Sequence, residues 1–305
     1  MKTLGKKKLI VINLFLIVAL LTTTVSAWFL SSYNNSVYSN EVTVSADGAL
    51  ELSTTNNSND FHSSVNLSDY AWFKNCTFTD VTGQGNGDFL RPALTQMPDY
   101  ATVNTSGTWT AATVSSNTAE GQYVKFTLYM RSTDPLNVYL GAGSAVKPSV
   151  GMNSLLNSTT RTYSTDIITG ALRLSCCNTG TKTRKFTWIP RPEIFVSDSA
   201  ANRAVQYSDI SVNKSSGASF THKCYNSSKA LVSSTTNTIT KDITDATRQL
   251  LATLSKTNAS DKYYTGKCDF YIWVEGTDNE ARRAFVNGKF VVDLNLEAED
   301  STVAS

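Results

Sequence analysis

Histidine is nearly missing from this chain of 305 residues: His62 and His222 are the two present, both in serine- and threonine-rich runs. General acid–base chemistry most often rests on histidine. No H-E-x-x-H, G-x-S-x-G, Walker loop or G-x-G-x-x-G before a helix accompanies them, so the familiar hydrolase, nucleotide and dinucleotide signatures are absent. His222 and Cys224 share one face of an expected strand, but no third group orients them as a nucleophile and base. The five cysteines, Cys76, Cys176, Cys177, Cys224 and Cys268, lack the C-x-x-C spacing of a zinc site. Being odd in number, they cannot all pair within one chain. No catalytic residue, cofactor or metal site is therefore expected, and the chain reads as a non-enzyme.

Charge is also scarce, at 17% of residues, and proline occurs six times. The formal charge of +2 includes four lysines at the extreme N-terminus, Lys2, Lys6, Lys7 and Lys8. Without them 23 basic residues face 25 acidic ones, a net charge of −2. That balance implies no nucleic-acid partner.

Those lysines precede an apolar run from Leu9 to Leu21, broken only by Asn13, and Val25-Ser26-Ala27 lies just beyond. This is the pattern of a secretory signal, with cleavage expected between Ala27 and Trp28 by a signal peptidase during export. The rival reading is a retained anchor, because Leu9 to Leu30 spans 22 residues if the threonines are tolerated. An apolar run of 13 residues is short for a spanning helix, which favours cleavage. The expected location is extracellular or cell surface, with the membrane touched only by the signal segment. The expected organisation is residues 1–27 as signal, 28–297 as a single β-sandwich with long loops, and 298–305 as a polar tail.

Period-two alternation dominates the chain beyond the signal. Val42, Val44, Leu50 and Leu52 flank a break at Ala46-Asp47-Gly48, predicting a strand, a turn and a second strand. Tyr70 to Phe78 reads as a short aromatic strand. Residues 101–119 read as weak strands or a surface excursion anchored by Trp109. In Tyr123–Arg131, Val124, Phe126, Leu128 and Met130 share one face, and Asn137–Leu140 is the expected hairpin mate across Asp134-Pro135. Ala171–Cys176 and Arg184–Ile189 flank a second hairpin turn at Asn178–Gly180, ended by Pro190 and Pro192. Cys176 and Cys177, being adjacent, should face opposite ways, with at most one toward the core. A Cys224–Cys268 bridge and free buried thiols are both open readings.

Two helices are expected near the C-terminus. Thr244 would cap the first, with Ala246, Leu250, Leu251 and Leu254 at helical spacing. Asp278 would cap the second over Asn279–Val286. Strands carrying Cys268, Phe270, Ile272 and Val274, then Phe290, Val292, Leu294 and Leu296, bracket it. The fold class is accordingly mainly β, a two-sheet jelly-roll-like sandwich.

Three clusters are weighed for function. Gly83, Gly85, Gly87 and Asp88, with Asp80, offer too few side-chain oxygens for calcium and read as a turn. Glu275 and Asp278 are the most site-like acids, but Asp278 is spent as a helix cap and Glu275 is placed on a solvent face with Tyr271 and Trp273. Tyr123, Tyr129, Tyr271 and Trp273 are either an exposed, sugar-stacking surface or the core of a second sheet.

The stretch T-V-S-A-W-F, with Asn40–Val44 and Gly48-Ala49-Leu50-Glu51-Leu52-Ser53 downstream, resembles the N-terminal region of exported biofilm-fibre and camelysin-type surface proteins of Gram-positive bacteria. Y-V-K-F-T-L-Y-M-R-S with V-Y-L-G, and Y-I-W-V-E-G-T-D-N-E, look like features of related clostridial surface proteins. The resemblance implies cleavage by a dedicated signal peptidase and a jelly-roll subunit that self-associates into extracellular fibres or joins other surface proteins. Trp28, Phe29, Val42 and Val44 are the expected assembly strand. An adhesin or glycan-binding module is the alternative. An extracellular hydrolase, on the pattern of relatives classed as metallopeptidases, is the remaining one, without a recognisable zinc motif.

Overall fold

A computed structural model describes residues 41–46, 49–95, 102–148, 167–191, 223–233, 238–240, 242–277 and 290–301. In chain order, β1 (Glu41–Ala46), β2 (Glu51–Ser53) and β3 (Ser64–Asn66) lead into a 3-10 turn at Leu67–Asp69 and α1 (Ala71–Lys74). Then come short strands: β4 (Thr82–Gly83), β5 (Phe89–Arg91), β6 (Leu94–Thr95), β7 (Thr102–Val103) and β8 (Thr110–Ala111). Next are β9 (Val124–Ser132), β10 (Leu136–Leu140), β11 (Ala145–Pro148), α2 (Ile167–Ala171), β12 (Leu172–Cys177) and β13 (Arg184–Ile189). The remainder is β14 (Lys223–Tyr225), β15 (Leu231–Ser233), β16 (Thr238–Thr240), β17 (Gln249–Thr253), β18 (Tyr264–Val274) and β19 (Phe290–Asp300).

Two six-stranded sheets carry the fold. Sheet A runs β17-β10-β19-β1-β3, with β11 also on β19; sheet B runs β16-β13-β12-β18-β9-β2. Strand β19 is long enough to serve two partners on one side, β11 along Phe290–Asp293 and β10 along Leu296–Asp300, while β1 pairs parallel on the other. The alternation read from the sequence sets this arrangement. Val124, Phe126, Leu128 and Met130 of β9 and Cys268, Phe270, Ile272 and Val274 of β18 face Val42, Val44, Phe290, Val292, Leu294 and Leu296 from sheet A in one core. Phe126 stacks between Phe270 and Trp72, with ring centroids 5.3 and 5.9 Å away, a geometry that adds to plain area burial.

Backbone pairs join the sheets at two corners. Leu52 and His62 exchange hydrogen bonds of 2.7 and 2.9 Å, tying β2 of sheet B to the approach of β3 in sheet A. Ser255 and Thr265 do the same at 3.0 and 2.8 Å between the ends of β17 and β18.

Four expectations are corrected. Residues 70–78 are not a strand: the Asn66 side chain accepts from Ser68 N–H at 2.9 Å, and a short helical run puts Leu67, Phe73 and Cys76 inward. Strand β10 is not the hairpin mate of β9 but crosses to sheet A, its approach fixed where the Pro135 carbonyl accepts from Ser301 N–H at 2.9 Å. The helix expected from Thr244 is a turn leading into β17. Its register with β10 shifts between Val138 and Tyr139, so Leu251 and Ala252 are both buried and the apolar spacing imitates a helix. Glu275, placed on a solvent face by its sequence position, is 1% exposed. The expected helix from Asp278 lies outside the described residues. Among those residues no helix is long and apolar enough to cross a membrane.

Candidate functional site

The outer face of sheet B is the most elaborated surface among the described residues. Beyond the main core, Tyr271 and Trp273 of β18 alternate with Phe270, Ile272 and Val274, so they point to the opposite side of the sheet. There they are covered by a flap built on β4, β5 and β8, and with Val81, Phe89, Tyr123 and Cys177 they form a second small core. The Phe89 ring lies 4.3 Å from Tyr123, 4.9 Å from Trp273 and 6.1 Å from Tyr271, centroid to centroid. Tyr123, Tyr271 and Trp273 are thus buried rather than a sugar-stacking surface, the second-sheet reading of these aromatics; Tyr129 alone of the four stays partly exposed. Burial raises the Tyr271 and Tyr123 hydroxyls above the ordinary phenol range, with Asp269 and Asp88 adding to the rise.

The glycine-rich loop is what lets the flap approach. Gly85 (φ +76°) sits where a Cβ would lie 2.7 Å from Ser175 Oγ, and Gly87 (φ +98°) rests on the Tyr271 ring. The Gly85 carbonyl accepts from the Cys177 thiol at 3.3 Å. Asp80, weighed for calcium, pairs with Arg91 at 3.2 Å, and Asp88 pairs with Lys182 at 3.5 Å. Among the described residues no cluster of three or more His, Cys, Asp or Glu is placed to hold a metal.

Beside this small core is a cavity of about 20 Å³ lined by Arg173, Arg184, Thr187, Thr238, Trp273 and Glu275, with others. That is room for roughly one water. Glu275 accepts from Trp273 Nε1 at 3.1 Å, Thr277 Oγ1 at 2.7 Å and Thr277 N–H at 3.3 Å. Arg173 donates to the Gly170 and Leu172 carbonyls at 2.7 and 2.9 Å, and Arg184 to the Gln84 carbonyl at 2.9 Å. Each of these contacts binds a charged group to a turn or strand end, the usual condition for carrying charge inside a protein. The chemistry legible here is the pinning of the flap and of the segment after β18. Sequence reasoning missed Arg173 and Arg184; the only signal was two arginines at strand positions that should face an apolar neighbour.

No protein-family model, curated protein or solved structure matches this chain. Of the remaining sequence candidates, Val42 and Val44 of the expected assembly strand are fully buried in β1 between β19 and β3. Ala27, Trp28 and Phe29 lie outside the described residues, as does His222. His62 is exposed and contributes its backbone to the corner with Leu52. Cys224 is half-buried in the β14–β15 hairpin, its thiol donating to the Val232 carbonyl at 3.6 Å. All five cysteines are thiols. Cys76, Cys176 and Cys268 lie in the main core and Cys177 in the small one, so the adjacent pair face opposite ways, one toward the main core and the other buried under the flap.

Proposed function

We propose that this chain is a secreted or cell-surface structural protein whose mature form self-associates into fibres or an extracellular matrix. The observation that carries the reading is the edge of sheet A. Strand β17 ends that sheet's order among the described residues, contains no proline or glycine, and exposes 44% of Leu250. Such an edge is a template for one further strand. One of its carbonyls, that of Leu251, is taken by Lys185 at 2.6 Å.

The donor is the apolar segment ahead of β1. Because Val42 and Val44 are committed to the subunit's own core, the donor narrows to residues 28–40, which include Trp28, Phe29, Leu30 and Val37. The N-terminal resemblance to fibre-forming surface proteins points the same way. Signal peptidase is the partner during export, and further copies of the chain are the partner afterwards. Deletion of residues 28–40 from the mature chain is expected to abolish assembly seen by electron microscopy while circular dichroism still reports a folded β protein. Undiminished fibres from the deleted chain, or none from the full mature chain, overturn the proposal.

A further inference from the structure

One hydrogen bond joins the extra residue of a bulge in sheet B to the extra residue of a bulge in sheet A. In the β12–β13 ladder Cys176 pairs with Phe186 and Cys177 with Arg184, so the register passes over Lys185. In the β10–β17 ladder Val138 pairs with Ala252 and Tyr139 with Leu250, which passes over Leu251 in the same way. The Lys185 ammonium donates to the Leu251 carbonyl at 2.6 Å, from one sheet to the other. A bulge breaks strict alternation and re-aims a side chain. Phe186 faces the main core, and Lys185 beside it also reaches inward, across facing sheets that stand about 10 Å apart.

The bond sits at the rim of the sandwich. Strand β17 ends sheet A among the described residues, and β16 covers β13 along Thr187–Ile189, short of Lys185. An inward-pointing charge and a bulge are two of the devices by which natural sheets keep further strands off an edge. Here the two meet in a single contact.

We propose that Lys185 guards the β17 edge: its ammonium holds the Leu251 carbonyl out of the ladder and keeps an arriving strand from pairing there until the bond is broken. This deepens the assembly reading above and rests on it, since the strand kept off is that of another copy. An arriving strand must bring a backbone N–H to this carbonyl and displace the ammonium, exchanging a charged donor for a neutral, weaker one. The edge then opens only to a segment whose other contacts offset that loss.

The test follows fibre growth from the mature chain, residues 28–305, by light scattering and electron microscopy. Each variant is seeded with its own sonicated fibres, under conditions in which circular dichroism reports it folded. Lys185→Met keeps the unbranched stem and removes the donor, and growth is expected to rise roughly tenfold or more, the factor for one hydrogen bond to a charged group. Lys185→Arg retains a cation and grows near the wild-type rate. Leu250→Lys, a charge on the exposed part of the edge, slows growth in the wild-type and Lys185→Met backgrounds alike. Growth of Lys185→Met no faster than wild type, while Leu250→Lys still slows both, overturns the guard and leaves the assembly reading standing. Faster growth of Lys185→Met that Leu250→Lys does not slow comes from association elsewhere on the molecule, and overturns the guard too. Wild-type growth indifferent to Leu250→Lys, or no wild-type growth at all, defeats the assembly reading itself.

Discussion

Adjacent residues on a strand face opposite ways, and at Cys176 and Cys177 that geometry sends one thiol into the main core and the other under the Gly83–Asp88 loop. Burial pushes Cys177 up from its ordinary value of 9.0 to about 11, with Asp269 raising it further and Ser175 and Arg184 opposing the rise. Cys76 is pushed higher still, by burial alone against a hydrogen bond from the Phe78 backbone. The sign is set by where the proton sits. Above the unfolded value the unfolded chain has lost the proton that the folded chain keeps, so stability falls with rising pH. This contribution is intact below about pH 9 and is lost as pH climbs through about 11. Thermal melts of the reduced protein are expected to hold level up to about pH 9 and then decline, with a shallower decline in Cys177→Ala. Thiolate absorbance appearing at pH 9 in the folded protein, before any loss of structure, would contradict this.

Turns and strands show how closely sequence pattern and structure agree at the scale of an element. Gly85 and Gly180 both have positive φ, +76° and +88°, but a Cβ on Gly85 meets Ser175 and Trp273 whereas one on Gly180 meets nothing within 4 Å. Gly180→Ala should cost about 1–2 kcal/mol, the left-handed penalty alone. Gly85→Ala should cost more, since the flap must also shift. Equal losses in urea melts would mean that the loop is not packed against Ser175 and Trp273. Strands β9, β18 and β19 are legible in the sequence because their alternation is unbroken, and β12 and β13 because they flank the turn signature at Asn178–Gly180. Residues 249–254 are not, because a bulge puts Leu251 and Ala252 inward in succession and copies helical spacing. The small core is half legible: Tyr123, Tyr271 and Trp273 alternate correctly, but alternation cannot say whether an outer face meets water or a flap. Nothing in the sequence pattern distinguishes Glu275 as buried, because its burial depends on Val81 and Ala171, both distant in the chain, which bond the backbone on either side of it.

For the molecule as a whole, the two cores predict two levels of stability. The main core draws on both sheets and is crossed by the two corner pairs, so its strands open only together. The small core holds six buried residues on the outside of sheet B, and the flap strands β4, β5 and β8 are two or three residues each. Apolar burial scales with area removed from water, at about 25 cal/mol per Å², so the flap has far less to hold it. Its opening leaves sheet B paired, because none of the flap strands belongs to that sheet. Hydrogen exchange should therefore release amides of residues 82–91 and 110–112 at lower free energy than those of 124–132 and 264–274. Trp273, under the flap, should become accessible to a fluorescence quencher before Trp188 in the main core does. Equal protection of both groups of amides, lost in one transition, would show that the Arg184–Gln84 and Gly276–Val81 hydrogen bonds weld the flap to the sandwich as a single cooperative unit.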